Sequence, residues 1–82
     1  MPRKRHVARR RHDRNSVGKA SAKIRRQQNL TQEDLAGRAA AIGWNISRDA
    51  VKRIENGERE VTDIELRLLA KALRVPAAVL LD

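Results

Sequence analysis

Apolar residues return every three or four positions along most of this chain, and nowhere do they alternate in steps of two. That spacing predicts helices and no strands. The first helix is expected from about Ser16 or Val17 to Gln28, with Val17, Ala20 and Ile24 as a narrow apolar stripe. Asn29 in a left-handed conformation would end it, and Leu30 would close the hydrophobic contact beyond. Thr31, with Asp34 three places on and Glu33 beside it, opens a second helix as a capping box. Leu35, Ala36 and Ala39 are its buried face, the alanines small enough to let a neighbour approach closely. Gly43-Trp44-Asn45 breaks the pattern, and Trp44 is expected to plug the edge of the core at that connection. Ser47 caps a third helix that ends at Asn56 with Gly57 just beyond, and Glu58 to Val61 form a loop. Thr62 with Glu65 makes a second capping box. It opens a fourth helix whose Ile64, Leu66, Leu69, Ala70 and Leu73 form a face too wide for a lone surface stripe. Pro76 suits the first turn of a fifth helix, with Val79 and Leu80 on its inner side. The expected fold is all-α, a compact five-helix bundle.

Charge divides the 82 residues unevenly. Residues 1–16 hold seven Lys or Arg against one Asp, and residues 17–82 hold twelve against nine, for a net +9 overall. The head has only Val7 and Ala8 to bury and cannot offset its ordering entropy. Residues 1–16 are therefore expected to be a flexible basic arm and residues 17–82 the folded domain. A polyanion is the natural partner for such a charge, through release of counterions from phosphates. His6 and His12 lie among the arginines of this arm and are expected to be solvated, with no metal bound. Cysteine is absent, which removes disulfides and thiolate metal sites. No apolar run approaches the length of a membrane span and no secretory segment follows the basic start, so a cytoplasmic location is expected.

The third helix carries the most informative chemistry. Arg48, Asp49, Lys52 and Arg53 fall opposite Val51 and Ile54, and the four-residue step pairs Arg48 with Lys52 and Asp49 with Arg53. A helix that lies in a DNA groove with its back on a core needs that division. Arginine can bridge O6 and N7 of guanine, which makes Arg48 and Arg53 the leading candidates for base reading. Asp49 fits either of two roles, accepting from a cytosine amine or orienting Arg53 while favouring the helix N-terminus. Enzyme chemistry finds little to work with: the chain has no Gly-rich phosphate loop, no cysteine, no His/Asp set and little room for a pocket. No catalytic residue and no cofactor is expected.

Three segments, LTQEDLA (Leu30 to Ala36), ISRDAVKRIENG (Ile46 to Gly57) and LLAKALRVPAAVL (Leu68 to Leu80), resemble the lambda-repressor-like, Xre-type helix-turn-helix family across residues 17–82. The resemblance implies five helices, of which the second and third read DNA, and a bacterial or phage transcriptional regulator. It places Arg48, Asp49 and Arg53 at base-contact positions. Ser47 is expected to start the reading helix and Lys52 to meet phosphate, while Gln32 resembles a family glutamine that touches phosphate and supports that helix, or else is an ordinary polar residue of a helix start. Asn56 is a phosphate donor or a plain C-cap, and Arg59 reaches phosphate from the following loop. Arg25 and Glu55 match a structural salt bridge between the first and third helices. Two departures stand out: the basic head, and an interval from Leu35 to Ile46 longer than the common spacing, which would lengthen the second helix or enlarge the connection. The expected function is sequence-specific binding of double-stranded DNA by a nucleoid-associated regulator of repressor type, as a homodimer. Val75, Val79, Leu80 and Leu81 are either the surface offered for pairing or part of the chain's own core. One alternative is an antitoxin-type protein that binds a protein partner and its own promoter; another is a general nucleic-acid binder that acts by charge.

Overall fold

The computed structural model describes residues 14–81. Among these residues the chain forms five helices and no strand: α1 Arg14–Gln27, α2 Gln32–Ala41, α3 Arg48–Glu55, α4 Asp63–Leu73 and α5 Ala78–Leu81. The expected arm, with Val7, Ala8, His6 and His12, lies outside the described residues, apart from its last three positions. Those three are helical, so α1 starts at Arg14 rather than at Ser16 or Val17. No glycine or proline separates Arg14 from Val17, and a helix anchored by buried Val17 propagates back at little cost.

Each of the first four helices ends in the same way. A residue within two places of the helix end is left-handed at Asn29 (φ 59°), Gly43 (φ 90°), Gly57 (φ 75°) and Arg74 (φ 60°, itself the cap of its helix). One residue further on, the amides of Leu30, Trp44, Glu58 and Val75 donate back to the carbonyls of Arg25, Ala39, Arg53 and Ala70, at 3.1, 2.9, 2.8 and 3.0 Å. This is the Schellman arrangement, which satisfies carbonyls that the helix leaves unpaired. At the other ends, Thr31 and Thr62 complete capping boxes with Asp34 and Glu65, and Ser47 Oγ accepts from the Ala50 amide at 3.1 Å. The Thr31 backbone N–H, and then its hydroxyl, hold the Asp34 carboxyl below the usual range, with Arg38 adding to the effect.

The core is built from Leu35 and Ala39 of α2, Val51 and Ile54 of α3, Leu69 and Leu73 of α4, and Leu80 of α5. Burying a side chain of this size contributes roughly 1.5–3 kcal/mol. Trp44 is half-buried and packs on the edge of this cluster. Three expectations are corrected. Ile64 is 69% exposed, because it stands nine residues from Leu73, about two and a half turns and so half a turn out of phase. Val79 faces outward at 40% exposure while Leu80 is sealed in the core, which takes Leu80 away from any pairing surface. Pro76 precedes α5 instead of lying in its first turn; its carbonyl accepts from the Val79 amide at 3.0 Å.

The long interval between Leu35 and Ile46 has a definite structure. α2 continues to Ala41, the cap closes through Gly43, and the Ile46 amide donates to the Trp44 carbonyl at 2.9 Å before Ser47 opens α3. A polar clamp secures the far side of α2. Arg38 Nη1 donates to the Ala72 carbonyl and to Gln28 Oε1, while Gln28 Nε2 donates to the Leu73 carbonyl at 2.7 Å. Two carbonyls at the end of α4 thereby gain partners from Gln28, just past α1, and from Arg38 of α2.

Candidate nucleic-acid interface

α3 is eight residues long and strongly divided. Val51 and Ile54 are buried, whereas Arg48, Asp49, Lys52 and Arg53 are all exposed. Asp49 sits in the first turn and the cations Lys52 and Arg53 in the last, which suits the helix dipole at both ends. Ser47 and Asn56 flank the exposed residues as the N-cap and C-cap. No ion pair engages Arg48, Lys52 or Arg53 among the described residues, so their charge is available to an external anion.

The opposite side of α3 is anchored by Glu55. Its Oε2 accepts from Arg25 Nε at 2.6 Å, and its Oε1 accepts from Arg25 Nη2 at 3.0 Å and from Gln32 Nε2 at 2.9 Å. Arg25 Nη1 donates in turn to the Leu30 carbonyl at 2.6 Å. The Arg25 and Glu55 side chains are 10% and 4% exposed. A buried fork of this kind fixes geometry more than it adds stability, because desolvation offsets much of the attraction. The fork ties together α1, the start of α2 and the end of α3, and so sets the angle at which the cationic face is presented.

A second anchor was not visible in the sequence. Gly18 packs so closely under the end of α3 that a Cβ there would lie 2.1 Å from the Ile54 carbonyl oxygen and 3.2 Å from Glu55 Cα. A lone glycine between Val17 and Lys19 gives no hint of this, since the approach depends on which helix crosses above it. Ser21, one turn along, is fully buried with its hydroxyl unpartnered.

The structure separates the remaining candidates. Gln32 is half-buried and one of its amide hydrogens is committed to Glu55. Arg59 is not free in its loop: Nη2 pairs with Glu65 Oε2 at 2.6 Å, with the two side chains 34% and 20% exposed. Ser47 Oγ serves as the N-cap acceptor, and its hydroxyl hydrogen remains available. Ser47, Arg48, Asp49, Lys52, Arg53 and Asn56 thus lie on or beside one short helix, while Gln32 and Arg59 approach it already engaged by carboxylates.

Residues 22–80 match a family model described as helix-turn-helix, which covers well over half of the chain. No curated protein matches the sequence.

Proposed function

Because the chain belongs to the lambda-repressor-like, Xre-type helix-turn-helix family and is a DNA-binding transcription regulator, we propose that it binds specific sequences by laying α3 in the major groove. One observation carries this reading: three cations with no ion pair among the described residues stand on an eight-residue helix whose back is locked to the body by Val51, Ile54 and the Arg25–Glu55 fork. Arg48 and Arg53 read guanines through O6 and N7, each such contact discriminating by about 1–3 kcal/mol. Lys52 meets phosphate. Asp49 orients Arg53 or accepts from a cytosine amine. Ser47 and Asn56 donate to phosphates at the two ends of the helix, which fixes register without reading sequence.

Gln32 acts mainly through Glu55, and its second amide hydrogen stays free for a phosphate. Arg59 has further N–H groups beyond the one held by Glu65 and adds a phosphate contact at the edge. The basic head contributes phosphate or minor-groove contacts, the use that other DNA-binding proteins make of such arms. Two copies bind a palindromic site, since domains of this geometry pair across half-sites one helical turn apart. Repression follows where such a site overlaps a promoter.

The test is selection of bound duplexes from a random pool, with the intact chain and with Arg53→Ala. A palindromic consensus containing guanine is expected, with preference lost at one position per half-site in the variant. Recovery of no consensus from the intact chain overturns the proposal. A uniform loss of affinity in the variant, with the preference kept, removes Arg53 from the base-reading set.

A further inference from the structure

α1 has two working faces. Gly18 and Arg25, seven residues apart, meet α3 on one of them. Ser16, Ala20, Lys23 and Gln27 recur at steps of four, three and four residues on the opposite side, turned away from α3. There they line a groove of roughly 520 Å³ together with Lys19, Ile24 and, from α5, Val79. Ala20, Ile24 and Val79 make its apolar part, and exposed Lys19 and Lys23 stand along it. α1 contains no acidic residue, and neither lysine has an ion-pair partner among the described residues.

We infer that this groove docks an acidic amphipathic helical segment of another protein, and that it does so while α3 holds DNA. Charge decides the occupant. A second copy placed groove to groove would bring Lys19 and Lys23 against the same lysines, and like charges face to face are costly. The chain's own head carries the same sign of charge as the lysines: residues 1–13 hold six Lys or Arg and one Asp. A small metabolite would need converging buried polar groups, whereas the polar atoms here belong to exposed side chains. An apolar side chain set between carboxylates satisfies both parts of the groove, covering exposed Val79 and half-buried Ala20 and pairing both lysines. Because the groove lies on the reverse of α1 from α3, the docked segment leaves Arg48, Lys52 and Arg53 uncovered.

The probe is a synthetic amphipathic peptide with Leu at helical spacing and Glu beside it, titrated into the full chain labelled for amide NMR. Saturable shifts are expected in residues 16–27 and 78–81, not in 48–55. A Lys19→Glu/Lys23→Glu variant should unfold at the same temperature and select the same DNA consensus. It should lose at least about tenfold in peptide affinity and gain the peptide in which Lys replaces Glu. Saturable binding by the intact chain with that exchange of preference establishes charge-matched docking. Shifts centred on α3, no saturable shift, or equal binding of both peptides by both proteins would overturn it. Loss of DNA affinity in the lysine variant would mark the stripe as a phosphate surface instead. Self-association abolished by Val79→Asp would make a second copy the occupant, and the inference would fail.

Discussion

Gly18 and Ser21, three residues apart on α1, lead to opposite expectations. In an ordinary helix Gly→Ala gains about 1 kcal/mol. At Gly18 the added methyl meets backbone atoms of Ile54 and Glu55, none of which can rotate aside. α1 must then lift off α3, and Gly18→Ala is expected to destabilise by about 2–3 kcal/mol net, the upper range for overpacking. Ser21→Ala removes a buried hydroxyl that has no partner and leaves the packing nearly unchanged. It should be neutral or stabilising by up to about 1 kcal/mol. Urea denaturation of both variants at constant m-value checks the pair. A stable Gly18→Ala protein would mean that α1 and α3 are not in backbone contact. The same contact links Gly18 to the set of α3: a shift of α1 drags Arg25, and with it Glu55 and the angle of α3.

At the scale of elements, what could be read in advance followed the range of each interaction. The boxes at Thr31–Asp34 and Thr62–Glu65 and the cap at Ser47 close within three residues, so local sequence displays them. The outward set on α3 was equally legible, because helical periodicity alone separates Arg48, Lys52 and Arg53 from Val51 and Ile54. Gln32 and Arg59 were harder to place, since their side chains reach carboxylates 23 and 6 residues away. Ile64 and Val79 have the apolar character of inward residues, but their phase on the helix turns them out. Arg74 is the least legible cap: a non-glycine residue at φ 60°, ψ 43° where the chain turns toward Val75 and Pro76. A left-handed L-residue costs roughly 1–2 kcal/mol. Arg74 is exposed, so Arg74→Gly forfeits no buried contact and is expected to stabilise by about 0.5–1 kcal/mol after the added unfolded-state entropy. Calorimetry should show a rise of several degrees in melting temperature. Asn29→Gly should gain less, because asparagine tolerates the left-handed region. A lower melting temperature for Arg74→Gly would show that the arginine side chain makes a stabilising contact.

Over the whole molecule, charge is distributed by role. Cations that meet carboxylates, Arg25 and Arg59, hold helices and loops in place, while Arg48, Lys52 and Arg53 on α3 enter no ion pair among the described residues. Residues 1–13 add six Lys or Arg and one Asp to that field. If these residues contact phosphate, they enter the salt dependence of binding and not the choice of sequence. Each phosphate neutralised adds about −0.9 to the slope of log K against log salt. Deleting residues 1–13 should therefore flatten the slope by about 0.9 for every phosphate their cations reach, with the selected consensus unchanged. The cut belongs before Arg14, because removing residues 14–16 as well takes the first turn of α1 and confounds affinity with stability. Titrations of one duplex across a salt series, with the intact and shortened chains, measure the difference directly. Equal slopes would exclude the head from the complex. A changed consensus would instead place its arginines in the minor groove, where the width of A·T tracts is read through shape.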